Sequence, residues 1–345
     1  MTRQAGGRAA GLSAAEAVPQ LQADTAQDMT PVRSLAVRAG PRLHCRQCVL
    51  SATYTGPLPM PIPPPVASTR RPIRASAGLA LLLWATLATV PHGLAAGPAA
   101  NAGLMLDALT WIEARDRIAA GQTTILLPIG GTEQSGPHLV LGKHNLRVQA
   151  LAGQIAQALG HTLVAPVLAY VPEGSIDPPA AHMRFAGTIS ITDAAFEAVL
   201  ESAARSFKRH GFRAVVLLGD HGGYQKSLER VAARLNREWA AAGCQVIALT
   251  EYYRAAQAGH AELLAARGFS KAEIGTHAGL ADTALALAID PALVRRDLLA
   301  QAAKGGEAQG VYGDPRRATA ELGQIGVDHI VETSVAALRK QLGRP

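Results

Sequence analysis

The chain is poor in cysteine, aromatic residues and charge. Only three cysteines occur among 345 residues, too few for a fold stapled by disulfides. Charged residues make up 17% and hydrophobic residues 48%, which excludes a wholly disordered or coiled-coil chain. The apolar and small-residue run Ala75–Val90 falls short of the roughly 20 residues that a membrane-spanning helix needs. Several catalytic signatures are missing too. There is no HExxH, and the glycines at 130–136 match neither the dinucleotide nor the phosphate-loop spacing. Ser135, in Glu133-Gln-Ser-Gly-Pro137, lacks the outer glycines of a nucleophile elbow.

Lysine is absent from the first 102 residues, which hold nine arginines and three acids, a net charge of +6 out of +7. The remaining residues are close to neutral, so a nucleic-acid partner loses its support. Arg70, Arg71 and Arg74 precede the run Ala75–Val90, which is followed by Pro91, Gly93 and small residues. That order is the n-region, h-region and cleavage region of an export signal, with candidate cuts after Ala96 or Ala102. The segment Thr69–Arg74 loosely resembles a twin-arginine signal. Three segments are therefore expected: an extension over 1–59, without assigned structure and upstream of a natural start at Met60; a signal peptide and linker over 60–102; and a folded domain over 103–345. The domain is expected to be exported, periplasmic, and in contact with the membrane only during transit. Cys45-Arg-Gln-Cys48 is an isolated pair without zinc or redox context, and Cys244 alone remains in the domain.

Within the domain, helical and strand patterns alternate, which predicts one α/β unit with a central, mostly parallel sheet flanked by helices. Strands are expected at 123–129, 163–170, 213–219 and 245–250. Helices are expected at 107–120, 145–159, 192–210, 225–242, 254–267, 278–290 and 326–342. Gly160 stops one helix and Thr192 caps another. The continuously apolar segment at 213–219 suits a strand covered on both faces.

Ligands of open parallel sheets sit beyond the carboxyl ends of the strands. Two turns there carry chemistry: 130–145, with Glu133, His138 and His144, and 220–224, with Asp220 and His221. Imidazole nitrogen and carboxylate oxygen on glycine-rich turns are what a divalent transition metal requires: Zn, with Mn and Fe as alternatives. The plain alternative for any one of these histidines is a hydrogen-bonded turn residue.

Five segments in order resemble the creatininase (creatinine amidohydrolase) family: Gly131–Gly142, His182–Thr188, Gly219–Gly223, Thr276–Gly279 with Asp282-Thr283, and Gly313–Gly323. The resemblance implies a three-layer α/β fold, a homo-oligomer such as a hexamer, and a two-metal site that hydrolyses amide C–N bonds other than peptide bonds. It also exposes departures. Ser135 stands where the family has a ligand histidine, His144 where it has the aspartate bridging two metals, and Leu280 where it has a glutamate. One imidazole nitrogen faces one metal, so His144 cannot bridge as a carboxylate does.

The expected ligand set is therefore Glu133, His144 and His221, holding one metal per chain with an open position for water. Asp282 or Asp220 would carry the proton, with Asp220 alternatively a fourth ligand beside His221, while His138 and His182 would bond the carbonyl oxygen or orient a ligand. Ser135, Arg184 and Tyr224 are expected to contact a small amide substrate. His277 is expected as a helix-start contact, and His161, His210, His260 and His329 at the surface. A competing reading is a non-catalytic small-molecule-binding protein that keeps this fold.

Overall fold

Two segments have no polar face, and a strand can bury both faces only between two layers of helices. In the computed structural model, which describes residues 103–344, these segments are the central strands β1 (Thr124–Ile129) and β3 (Ala214–Gly219), every residue of each buried. β2 (Thr162–Val164) flanks β1 and β4 (Gln245–Ala248) flanks β3, giving the order β2-β1-β3-β4 with all pairs parallel. The expected leader segments and Cys45/Cys48 lie outside the described residues. Among the described residues no helix is long and apolar enough to cross a membrane.

The helices are α1 (Trp111–Ala119), α2 (Lys143–Leu159), α3 (Asp193–Arg209), α4 (Gln225–Glu238), α5 (Thr250–Arg254), α6 (His260–Ala265), α7 (Lys271–Ile274), α8 (Leu280–Ile289), α9 (Leu299–Gly305) and α10 (Ala320–Leu342). Alternate strand residues point to opposite faces, which builds two cores. Ile125, Leu127, Val215 and Leu217 pack with Phe196 and Leu200 of α3 and Leu228 and Leu235 of α4. Leu126, Val216 and Leu218 pack with Leu151 and Ile155 of α2, Leu285 of α8 and Ile330 of α10. The result is the expected three layers.

Several element boundaries differ from the expectation, for local reasons. β2 is three residues long because Pro166 interrupts it, and beyond that point only Leu168 still bridges to Ile129. α1 begins four residues later than expected, at a capping box in which Thr110 and Glu113 bond each other's backbone. The helix expected at 254–267 starts at Thr250 and joins α5 to α6 through a π-helical turn, Ala255–Gly259. α10 starts six residues early, capped by Thr319. Gly323 and Gly326 are contact points: a Cβ on Gly323 would overlap the Ala284 carbonyl of α8. His260, expected at the surface, is fully buried, with a ring nitrogen on the Leu322 carbonyl.

β1 and β3 are neighbours in register, Ile129 opposite Gly219. Their carboxyl ends therefore bring the turns at 130–142 and 220–224 together at one edge of the sheet.

Candidate metal centre

Glu133 leaves β1 on a loop closed by its own N–H, which donates to the Leu141 carbonyl, and its side chain is fully buried. His221 follows β3. His182 comes from a short 3-10 turn, Ala181–Arg184, whose first residue holds a positive φ of 50°. Glu173 comes from the segment after Val171, where its N–H donates to the Ser190 hydroxyl. Each of Glu133, Glu173, His182 and His221 offers one nitrogen or oxygen atom, and these four atoms lie within 4.8 Å of one another. Oε2 of Glu133 is 3.1 Å from His182 Nε2 and 3.2 Å from His221 Nε2, and His221 Nδ1 is 3.5 Å from Glu173 Oε2.

Three carboxylate oxygens here receive no aligned hydrogen bond, although imidazole nitrogens stand 3.1–3.5 Å from two of them: Glu133 Oε2 and both oxygens of Glu173. Buried polar atoms are rarely left so, and an ion among them would satisfy all three. Two imidazoles and two carboxylates also form a donor set suited to Zn, Mn or Fe. The residues present fit a metal. Both glutamates are sealed, whereas the His182 and His221 side chains are 21% and 17% exposed, so the group opens to solvent through the histidines.

A second cluster backs this group from the far side of Glu133. His144 sits between two carboxylates, with Nε2 2.8 Å from Glu133 Oε1 and Nδ1 2.6 Å from Asp220 Oδ2. Arg147, one turn along α2, donates to Asp220 and, through Nη1 at 3.0 Å, to Asp282. Lys143 Nζ is 3.1 Å from Asp282 Oδ2 and 3.6 Å from Glu133 Oε1. Tyr252 donates to Asp220 Oδ1 at 2.6 Å, and the Ala278 N–H donates to Asp282.

The buried carboxyls titrate in opposite senses, with Glu173 set against the other three. Burial opposes ionisation of Glu133, Asp220 and Asp282, but their hydrogen-bonding and basic neighbours outweigh it and hold all three below the usual carboxylate range: His144, His221 and Lys143 for Glu133, Arg147 and His144 for Asp220, Lys143 and Arg147 for Asp282. For Glu173 the charge of Lys143 is too weak to outweigh burial. Burial, reinforced by the charge of Glu133, pushes its carboxyl up to about 10. Burial also holds His277 neutral down to about 3.

The expected site residues are thus divided. Glu133 and His221 stand together as expected, and His182, expected to act on substrate, joins them. His144 faces Glu133 and Asp220 with its two nitrogens and is not among the four grouped side chains. Asp220 and Asp282 are committed to ion pairs, which occupies the oxygens a proton carrier needs. His138 is turned away, its Nε2 2.9 Å from the Thr283 hydroxyl. Ser135 is buried with its hydroxyl unpartnered. Tyr224 is fully buried and its hydroxyl donates to the carbonyls of Ile129 and Gly130, so it braces the two strand ends. Arg184 is exposed, with Nε on the Ala181 carbonyl.

Sequence reading missed Glu173, Lys143, Arg147 and the placement of His277, whose Nδ1 lies 3.7 Å from Glu133 Oε1. Glu173 was open to discovery, since it follows the second expected strand as Glu133 follows the first. Lys143 and Arg147 were not, because cations one turn apart on a helix normally mark a solvated face.

A family model described as creatinine amidohydrolase (creatininase) matches residues 107–338. The chain belongs to the creatininase family. It is 32% identical over 195 residues to a creatinine amidohydrolase of Pseudomonas putida, spanning 55% of this chain and 73% of that protein. A mycofactocin precursor peptide peptidase of Mycolicibacterium smegmatis is 31% identical over 209 residues, 58% of this chain and 78% of its own length. Among solved structures, a manganese creatininase superposes with a TM-score of 0.57 at 26% identity, and a mutant creatininase of Zn–Zn type with 0.56 at 25%. Each match covers 69% of this chain and 98% of the other. Peptidases among the relatives remove the ground for excluding peptide bonds.

Proposed function

We infer that the protein is a metal-dependent hydrolase that cleaves an amide C–N bond of a small cyclic or linear substrate, peptide bonds included. The observation that carries this reading is the Glu133, Glu173, His182 and His221 group, with its three carboxylate oxygens that receive no aligned hydrogen bond. These four side chains would hold one divalent transition ion per chain, Zn in the first instance. Such an ion supplies Lewis acidity, which activates water and polarises a carbonyl oxygen.

The chain's own residues do the remaining work. Asp220, fixed by Arg147 and Tyr252, orients His144, which in turn holds Glu133 Oε1 and leaves Oε2 facing the two histidines. His277 Nε2 bonds the Gln134 carbonyl at 3.0 Å. That bond needs the ring proton on Nε2, so Nδ1 is left as an acceptor toward the site for a hydrogen of water or of the amide. Asp220 and Asp282 enter this reading as anchors of buried cations, because carboxylates paired to Arg147 and Lys143 do not take up protons near neutrality. Export is part of the proposal and rests on the leader sequence alone.

A binding protein without turnover is favoured by that same commitment of the two aspartates. Hydrolysis of a panel of small amides and short peptides by metal-loaded protein, lost in Glu133→Gln and His221→Ala, separates the two readings. Metal bound without turnover on any substrate would leave the binding protein. No metal bound would remove the hydrolase.

A further inference from the structure

The amino end of α2 turns three charged or ionisable residues inward, Lys143, His144 and Arg147, all buried. Lys143 is 1% exposed, a burial that lysine tolerates only with anionic partners. Its Nζ lies between Glu133 Oε1 and Asp282 Oδ2, at 3.6 and 3.1 Å. A pair of oxygens from two carboxylates on different loops is also what a divalent cation seeks. Glu133 is therefore split between two environments, one holding a fixed cation and one without. Oε1 faces the fixed cation Lys143 and His144, and Oε2 faces the open, unsatisfied group with Glu173, His182 and His221.

We propose that Lys143 is a built-in cation occupying the place a second metal ion would take beside Glu133, so that the site admits one divalent ion per chain. This rests on the metal-site reading given above and adds what closes the second position. A second divalent ion on Glu133 Oε1 would stand in contact with a buried ammonium, with the Arg147 guanidinium behind it on Asp282. Lys143 is accordingly a positioning residue: it neutralises Asp282 and keeps Glu133 turned with Oε2 toward the ion. The contrast with a relative of Zn–Zn type then has a physical cause in this chain.

The test is metal stoichiometry of the full chain, measured by elemental analysis after equilibration with Mn2+ or Zn2+ and removal of loose ions, with folding checked by circular dichroism. The expected values are one ion per chain in the wild type, two in Lys143→Ala, and one again in Lys143→Arg. Mn2+-loaded wild type should give the electron paramagnetic resonance spectrum of isolated ions. Two ions in the wild type, or a spin-coupled manganese signal, would overturn the proposal while leaving the metal site standing. No ion in the wild type would instead remove the reading on which the proposal rests. Should Lys143→Ala fail to fold, Asp282→Asn decides the matter. With its carboxylate gone, the Lys143 charge is uncompensated, and affinity for the single ion should fall at least tenfold. An unchanged affinity in Asp282→Asn, or a single ion bound to folded Lys143→Ala with wild-type affinity, overturns the proposal.

Discussion

At the scale of single residues, Glu173 concentrates the conflict between folding and function. Its folded pKa, pushed up to about 10 by burial and by Glu133, lies above that of an unfolded glutamate, near 4.3. The unfolded chain therefore loses this proton first as pH rises, and the native state is progressively disfavoured between those two values. At pH 7 the penalty is about 4 kcal/mol, taking 1.36 kcal/mol per pKa unit over the span from 4.3 to 7. Glu173→Gln should remove it. In chelator, urea unfolding of this variant should show a smaller loss of stability between pH 5 and pH 8 than the wild type, while its metal affinity falls at least 100-fold. An unchanged pH slope would show that Glu173 ionises in the fold. Asp282 makes the opposite case. Its folded pKa is depressed, so it contributes stability above the unfolded value that is lost as pH falls through the folded one. Asp282→Ala leaves two buried cations short of a partner and should cost about 3–5 kcal/mol, read as a shift in the urea midpoint at pH 7.

At the scale of elements, the placement of the site depends on how closely helices and turns approach. α10 reaches α8 because Gly323 and Gly326 have no side chain to hold them apart. Gly323→Ala should cost roughly 1–3 kcal/mol through overpacking. By contrast, a Cβ on Gly343, the αL residue that ends α10, meets nothing within 4 Å, although its φ of 62° disfavours one. Gly343→Ala should therefore cost only about 1 kcal/mol, through backbone strain. Equal losses in the two variants would contradict the packing role of Gly323. The strands and most helices were legible because their apolar residues recur with periods set by backbone geometry. The starts of α1 and α10 were less legible, since they depend on caps at Thr110 and Thr319. The short β2 depends on Pro166.

At the scale of the whole molecule, metal and leader are the two quantities to test. An ion that binds only the folded state stabilises it by about 2.7 kcal/mol at a concentration 100 times its Kd. For a domain of this size that corresponds to a Tm higher by roughly 5–10 °C than in chelator. No Tm difference would argue against a site preformed in the fold. For the leader, amino-terminal sequencing of protein recovered from the producing cell should begin after Ala96 or Ala102. A terminus upstream of Ala75 would rule out the export signal.

The sequence by itself determined the three-layer α/β architecture, the strand ends where chemistry gathers, and two of the four grouped side chains, Glu133 and His221. These follow from local periodicity and from motifs in which residues close in the chain act together. Only the tertiary structure decided that Glu173 and His182 complete the group, that His144 lies between Glu133 and Asp220, and that Asp220 and Asp282 anchor Arg147 and Lys143. The reason is physical. Whether a carboxylate carries a proton, holds a cation or is left to meet a metal depends on which charges lie within a few ångströms of it. Here those charges come from loops and helices as much as 139 residues apart in the chain.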